Sequence, residues 1–450
     1  MSPRTKRLIA SEASRRWRRA TPLACALLAA ARLLCGCAST GAPAQRPATD
    51  ANDENLARCR DMMAALASDS AEAAEKSFSA RMHAELPPLL LRSQWHALQG
   101  KYGALASWRV TQRDALGAMD RLTLELQFAD RIMYQRVVFG RGHEVVGLWF
   151  SAPPAQRAVP EAPATTRQPK EIEITVGPLA LRGSLVLPRS VTPVPGVVLV
   201  AGSGPSDRDE TVLGAKPFRD LALGLAARGI GSLRFDKRPF VHPELFKGNG
   251  GTVEAETIED AIAAVALLRA RPEVDARRLV VLGHSLGALL APEIASRAGG
   301  VAALVLLGAP ARPIPELILE QLRNAGAKPG ELNALDAKVR ALPNLPPSEL
   351  VMGTPASYWQ DLAKRDEFGV ARTLGRPVLL LRGAEDHNVA AVDQERWVQE
   401  LAGHVPVENA TIPRLNHLFT PAGSPSQTEQ HVPDELIERV AAFIRSLKGI

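Results

Sequence analysis

The feature of this sequence that most constrains its fold is the run Gly-His-Ser-Leu-Gly at 283–287, because of the segments that flank it. The apolar stretch Leu279–Leu282 predicts a buried strand before the run, and residues 288–298 predict a helix after it. This strand-turn-helix context is typical of a nucleophile elbow, in which the serine adopts a strained backbone conformation and flanking glycines allow close approach. We therefore predict Ser285 as a nucleophile.

Such a serine needs a histidine to take its proton and a carboxylate to orient that histidine. In folds with this elbow, the acid and then the histidine follow the serine along the chain. Asp386 follows the predicted strand Val378–Leu381 and is the predicted acid, with Glu385 as the alternative. His417 is the predicted base, because it follows a strand-like stretch and precedes the last helix. The other histidines downstream are His387, His404 and His431.

The oxyanion formed when a serine attacks a carbonyl needs fixed backbone N–H donors. One donor comes from the residue after the serine, here Leu286, and the other from the loop after the third strand. That loop is the run Ala-Gly-Ser-Gly-Pro at 201–205, in which Ser203 is the predicted donor. The glycines alone would also suit a phosphate loop, but no Gly-Lys-Ser/Thr follows them.

Strand and helix patterns alternate from residue 170 to the end of the chain, which predicts an α/β domain with a mostly parallel, doubly wound sheet. Residues 308–372 lie between its sixth and seventh strands and contain predicted helical stretches at 314–324 and 347–351. The other predicted buried strands are Gly196–Val200, Gly231–Phe235 and Ala303–Leu307.

A smaller domain is predicted at 54–150, where helical spacing over 56–66, 71–82 and 89–98 is followed by alternating strand patterns. This order indicates an α+β domain, and its residues include no recognisable catalytic or metal-binding pattern. The proline- and alanine-rich residues 151–169 form the predicted linker to the α/β domain.

The chain begins with a predicted signal peptide at 1–36, whose apolar part is shorter than the roughly 20 residues of a membrane-spanning helix. It ends in Leu-Cys-Gly-Cys, which resembles a bacterial lipobox and makes Cys37 the expected lipidation site. Ordinary cleavage near Ala38 is the alternative. Residues 37–53 form a predicted flexible tether, so we expect an exported protein anchored in the cell envelope by a lipid.

The net charge of +6 comes from this leader, where basic residues exceed the single acid, Glu12, by seven. The remaining chain is therefore close to neutral. This distribution gives no electrostatic argument for nucleic acid as a partner.

Several motifs together resemble a bacterial group of α/β-hydrolases, described as carboxylesterases or as relatives of serine aminopeptidases. They are the run at 202–211, Arg-Phe-Asp-Lys-Arg at 234–238, the elbow, Ser-Tyr-Trp at 357–359 and Leu-Asn-His-Leu-Phe at 415–419. The resemblance spans about 170–450 and implies the α/β-hydrolase fold with Ser285, Asp386 and His417 as the triad. It also implies a small cap formed by residues 308–372, which would cover the acyl pocket. Ala201 departs from it, because many relatives have histidine there.

The expected activity is hydrolysis of a small carboxylic ester through an acyl-serine intermediate, with no metal or organic cofactor. A peptidase or amidase on short peptides is the alternative, because both reactions use the same triad. A non-catalytic envelope protein that binds a partner through residues 54–150 is the hypothesis from another class.

Overall fold

The structure is a computed structural model, and it describes residues 53–116, 119–129, 131–151, 169–212, 215–246, 251–324, 326–422 and 430–449. The predicted signal peptide, Cys37 and nearly all of the tether and the linker lie outside these residues. Among the helices of the described ranges, none has the length and apolar character needed to cross a membrane.

The amino-terminal domain starts with α1 Glu54–Ala67, α2 Ala71–Ala74, a 3-10 turn at Glu75–Ser77, α3 Ala80–Glu85 and α4 Pro88–Tyr102. The single helix predicted over 71–82 is wrong, because the chain leaves the helix at Phe78, which forms a β-bridge with Val145. Ser79 then begins α3 by accepting a hydrogen bond from the N–H of Met82 at 3.2 Å.

An antiparallel sheet follows in the order β1 Leu105–Leu116, β2 Met119–Phe128, β3 Ile132–Phe139 and β4 Val145–Ser151. Alternate residues of β2, from Leu122 to Phe128, are buried, as expected for a strand with one face on the core. The ring of Trp95 in α4 lies 5.7 Å from that of Phe128. Helices packed on an antiparallel sheet confirm the predicted α+β class.

The second domain contains a sheet that, within the described residues, has eight strands. They are β5 Lys170–Val176, β6 Leu181–Leu187, β7 Val194–Val200, β8 Gly231–Phe235, β9 Val274–His284, β10 Ala303–Leu307, β13 Val378–Gly383 and β14 Val407–Ile412. Their order in the sheet is β14-β13-β10-β9-β7-β8-β6-β5. β5 and β6 are antiparallel to their neighbours, and the other strands run parallel. The mostly parallel sheet confirms the predicted fold class.

Helices cover both faces of this sheet, which explains why its central strands are continuously apolar. The helices around the sheet are α5 Pro217–Ala227, α6 Arg238–Val241, α7 Glu259–Arg269, α8 Leu286–Ala298, α13 Ala391–Leu401 and α14 Asp434–Ser446. Residues of α5 and α14 form one buried cluster with alternate residues of the strands, such as Val197 and Leu199. Helices α7 and α8 contact β7 and β9 but contribute no residue to that cluster, so they cover the other face.

The segment between β10 and β13 contains α9 Ile314–Asn324, α10 Pro329–Ala341, the short strands β11 Leu350–Val351 and β12 Thr354–Pro355, α11 Ala356–Ala363 and α12 Glu367–Leu374. The helix predicted over 347–351 is wrong. The chain makes a hairpin there, because Met352 and Gly353 both adopt positive φ values, 54° and 72°, which turn β11 back onto β12.

Residues Ile318–Ala337 of that segment group with the amino-terminal domain in one compact unit. In this unit the Nη1 atom of Arg92 in α4 lies 3.0 Å from Oε1 of Glu331 in α10, and Nη2 of the same residue binds Glu72 in α2. The sequence-based division into domains did not anticipate that the amino-terminal domain holds part of the predicted cap.

Candidate active site

The turn between β9 and α8 places Ser285 at the carboxyl end of a central strand. Its backbone has φ 53° and ψ −119°, a conformation that non-glycine residues rarely adopt. A Cβ atom at Gly283 would lie 2.1 Å from the carbonyl oxygen of Gly287, and one at Gly287 would lie 2.1 Å from that of Val200. Glycine is therefore required at positions 283 and 287, on both sides of the serine, as expected from the sequence of the elbow.

Asp386 and His417 meet beyond the carboxyl ends of β13 and β14. The Nδ1 atom of His417 lies 2.7 Å from Oδ2 of Asp386, and both residues are buried. The other oxygen of Asp386 accepts hydrogen bonds from the N–H groups of Asn388 and Val389, each at 2.9 Å. Burial raises the pKa of Asp386, but the charge and hydrogen bond of His417 and these N–H donors outweigh it and hold the pKa below its usual value.

The alternatives from the sequence do not occupy these positions. The side chains of Glu385 and His387 are about half exposed and lie 4.0 Å from each other. His404 is exposed at the end of α13, and His431 pairs with Asp220 at the surface. Of the predicted acids and bases, the structure brings Asp386 and His417 into direct contact.

The His417 ring lies close to the turn that holds the serine. The N–H of Ser285 donates to the carbonyl oxygen of Leu307 at 2.9 Å, and the His417 ring packs on the next residue, Gly308. A Cβ atom at Gly308 would lie 3.1 Å from Cε1 of His417. The Nε2 atom of His417 is buried and has no hydrogen-bond partner among the described residues. This nitrogen is therefore free to accept a proton.

The two predicted oxyanion donors, Ser203 and Leu286, line the same cavity. Its remaining lining comes from the loop after β7 and from the segment between β10 and β13. Trp359 is fixed there by a hydrogen bond from Nε1 to the carbonyl oxygen of Val351 at 3.1 Å. The described residues that line this cavity are all uncharged: Ser203, Gly204, Leu286, Ile314, Thr354, Tyr358, Trp359 and Leu362.

Buried charges hold the backbone on each side of Ser203. The N–H of Gly202 donates to Oε1 of Glu210, and the N–H of Gly204 donates to Oε1 of Glu256, each at 2.8 Å. Lys237 binds both the carbonyl oxygen of Gly202 at 2.6 Å and Glu256 at 3.0 Å. The loop that carries a predicted oxyanion donor is thus fixed by charged side chains.

The sequence patterns assigned no role to Glu210, Glu256 or Lys237. Glu210 and Lys237 stand in motifs that carry the family resemblance, which is the signal that singles them out. In the same loop, Arg208 forms an ion pair with Asp236, and Asp209 forms one with Arg234 at the end of β8. Among the described residues, no cluster of three histidine, cysteine or acidic side chains has a geometry that could hold a metal ion.

The model of the alpha/beta hydrolase family matches residues 197–431, a range that contains the elbow, Asp386 and His417. The chain belongs to the alpha/beta hydrolase family. It is 35% identical over 393 residues to Esterase EstD of Thermotoga maritima, an alignment that covers 84% of this chain and 92% of that protein.

Solved structures similar to this chain include the esterase domain of a Rhodothermus marinus protein, with 20% identity, a TM-score of 0.39 and coverage of 62% of this chain and 99% of that one. An acylaminoacyl peptidase of Pyrococcus horikoshii is 14% identical, with a TM-score of 0.46 and coverage of 76% of this chain and 56% of that one.

Proposed function

We propose that this hydrolase cleaves small carboxylic esters through an acyl-serine intermediate, with Ser285 as nucleophile, His417 as base and Asp386 as the orienting acid. The observation that carries the proposal is the buried Asp386–His417 pair, in which Nε2 of His417 has no hydrogen-bond partner among the described residues. The His417 ring packs on Gly308, and the preceding residue, Leu307, accepts the N–H of Ser285. The 35% identity to a protein named an esterase supports the same reaction class.

In the proposed mechanism, the Oγ atom of Ser285 attacks the ester carbonyl while its proton moves to Nε2 of His417. The ionised Asp386 stabilises the imidazolium that forms. The N–H groups of Ser203 and Leu286 donate to the oxyanion. His417 then gives its proton to the departing alcohol. In the second half of the reaction a water molecule attacks the acyl-serine while His417 takes its proton, and His417 returns that proton to Oγ of Ser285 as the carboxylic acid leaves.

The lining of the cavity favours esters of uncharged acids over substrates with a free amino terminus. A positively charged amine is recognised in a buried pocket by a carboxylate or by several acceptors, because an unpaired buried charge is costly. No acidic side chain is among the described residues that line the cavity. Aromatic and aliphatic groups from 314, 358, 359 and 362 instead suit a short apolar acyl chain.

The test is labelling by a fluorophosphonate probe together with hydrolysis of p-nitrophenyl esters of increasing acyl length. The wild-type protein should be labelled and should prefer short acyl chains, and Ser285→Ala should lose both labelling and turnover. Turnover of p-nitrophenyl esters by Ser285→Ala at the wild-type rate would contradict the proposal. Faster turnover of aminoacyl amides than of esters would assign a peptidase activity instead.

We also propose that the protein is exported and carries a lipid on Cys37, which would attach it to a membrane of the cell envelope. The support is the basic leader, the short apolar run and the lipobox-like Leu-Cys-Gly-Cys that ends at this residue.

A further inference from the structure

A buried histidine and a buried glutamate lie beside the candidate triad but belong to none of its roles. His284 directly precedes the nucleophile Ser285 and is 2% exposed, and Glu210 is 1% exposed. The Nδ1 atom of His284 lies 2.8 Å from Oε1 of Glu210, and its Nε2 atom lies 2.8 Å from the carbonyl oxygen of His417. Neither residue lines the cavity.

These contacts connect the loops that the proposed reaction must align. Glu210 accepts the N–H of Gly202, which precedes the predicted oxyanion donor Ser203. His284 is part of the elbow, and its other ring nitrogen holds the backbone of the predicted base. One buried side-chain pair therefore spans the loop after β7, the turn after β9 and the loop after β14.

The hydrogen-bond partners determine how many protons the pair holds. The carbonyl oxygen of His417 can only accept, so Nε2 of His284 carries a proton. Nδ1 faces a carboxylate oxygen, so a second proton lies between His284 and Glu210. The charged and titratable groups that act on the ring are Glu210, Asp386 and His417, whose ring lies 4.6 Å away. Burial lowers the pKa of His284, but the charges of the two carboxylates and the hydrogen bonds outweigh it and raise this pKa above its usual value.

The backbone of Glu210 is itself strained. Its φ is 53°, in the left-handed region that non-glycine residues avoid. Such strain persists only where surrounding contacts impose it, and here it directs the carboxylate toward Gly202 and His284. The strained backbone conformation therefore occurs at Glu210, the residue that pairs with His284.

We propose that Glu210 and His284 are positioning residues, a proton-sharing brace that aligns the oxyanion loop, the nucleophile and the base. The proposal rests on the hydrolase mechanism proposed above. Neither residue touches the reacting atoms. Loss of the brace therefore lowers kcat, because the three loops are no longer aligned for the transition state, and it leaves KM nearly unchanged, because the acyl pocket is intact.

The experiment compares Glu210→Gln, His284→Gln and the double variant with the wild-type protein. Each single variant is expected to keep the fold, to lower kcat about 10- to 100-fold and to change KM by less than about twofold, since small misplacements in an active site have effects of this size. The double variant should be no slower than the slower single variant, because both changes remove the same brace.

The pH profile separates this role from a purely structural one. In the wild-type protein, kcat should fall at alkaline pH as His284 loses its proton, and this alkaline limb should be absent in both single variants. Asp220→Asn is the matched control, because Asp220 also pairs with a histidine, His431, and accepts a backbone N–H, but at the surface. It should keep both kcat and the alkaline limb.

Single variants that fold and retain wild-type kcat would overturn the proposal, as would strictly additive effects in the double variant. If one single variant does not fold, the other decides by the same criteria. These outcomes differ from a failure of the proposed reaction, in which Ser285→Ala itself would remain active and the wild-type protein would not react with the fluorophosphonate.

Discussion

The Nδ1 atom of His417 lies 2.7 Å from Oδ2 of Asp386, although 31 residues separate them in the chain. The carboxylate orients the imidazole so that Nε2 remains free on the opposite side of the ring. Since this geometry is made by the ends of two neighbouring parallel strands, β13 and β14, it depends on the sheet as much as on the two side chains.

Replacing the acid tests this pair directly. Asp386→Asn should lower kcat by a factor on the order of 10⁴, because an amide cannot stabilise the imidazolium or select the productive tautomer. Steady-state hydrolysis of a p-nitrophenyl ester measures the effect. The exposed neighbour Glu385 provides the control, and Glu385→Gln should keep the wild-type rate. The reverse result would make Glu385 the acid.

Replacing a glycine of the elbow should destabilise the fold as well as the site. A Cβ atom in Gly287→Ala would lie 2.1 Å from a backbone oxygen, so β7 or α8 must move, at a cost of about 3 kcal/mol. Urea unfolding measures the loss. Gly100→Ala is the matched control, because Gly100 lies in helix α4 and a Cβ atom added there meets nothing within 4 Å. Alanine in place of this helical glycine should raise the free energy of unfolding by about 0.5–1 kcal/mol. Equal stability of the two variants would contradict the geometry of the elbow.

The cavity lining predicts how acyl preference changes. Ile314 lines the cavity and is only partly buried, so Ile314→Ala enlarges the pocket at little cost in stability. The ratio of kcat/KM for a hexanoyl ester to that for a butyryl ester should rise about 10-fold. Val392→Ala, an exposed valine outside the lining, should leave this ratio unchanged. An unchanged ratio in Ile314→Ala would place the acyl chain elsewhere.

The buried carboxyl group of Glu367 should make the free energy of unfolding fall as pH rises. Burial and then the charge of Glu293 raise the pKa of Glu367 from 4.5 to about 8. Between these values the folded protein keeps a proton that the unfolded chain releases, so this group's contribution to the free energy of unfolding falls by about 1.4 kcal/mol per pH unit as pH rises. Below the lower value the contribution is fully present.

Glu367→Gln cannot titrate, so its stability relative to the wild-type protein should increase from about pH 5 to about pH 8 and then stay constant. Urea unfolding at a series of pH values measures the difference. Burial also raises the pKa of Glu75 to about 8. Because Glu75 is present in both proteins, its contribution cancels in the difference between their free energies of unfolding. A flat difference for Glu367→Gln across this range would refute the pKa assignment.

Lipidation predicts a change in cell fractionation. Cys37→Ser should move the protein from the membrane fraction to the soluble fraction, because the proposed lipid would be attached to the thiol of this cysteine. Cys35→Ser, two residues earlier and within the predicted signal peptide, is the control and should remain with the membrane. Retention of Cys37→Ser in the membrane fraction would show that this cysteine is not the anchor.

Local sequence patterns were sufficient to predict those elements whose structure depends on neighbouring residues. The run at 283–287 indicated a strained turn because only glycine tolerates the close backbone approach on each side of Ser285. Continuous apolar strands separated by helices indicated a parallel sheet with both faces covered. The helices misplaced at 71–82 and 347–351 are segments where a long-range bridge or a paired hairpin overrides local spacing.

The sequence by itself determined the order of the elements, the elbow and the chain order of the candidate serine, acid and base, because these follow from residue type and periodicity. Tertiary structure alone decided which acid meets His417, that Arg92 binds Glu331, and that Glu210 and His284 join three loops of the candidate site. Each of these contacts links residues far apart in the chain. Its geometry depends on how the strands pair in the sheet and on where the loops at their ends meet. A local sequence pattern does not determine that arrangement.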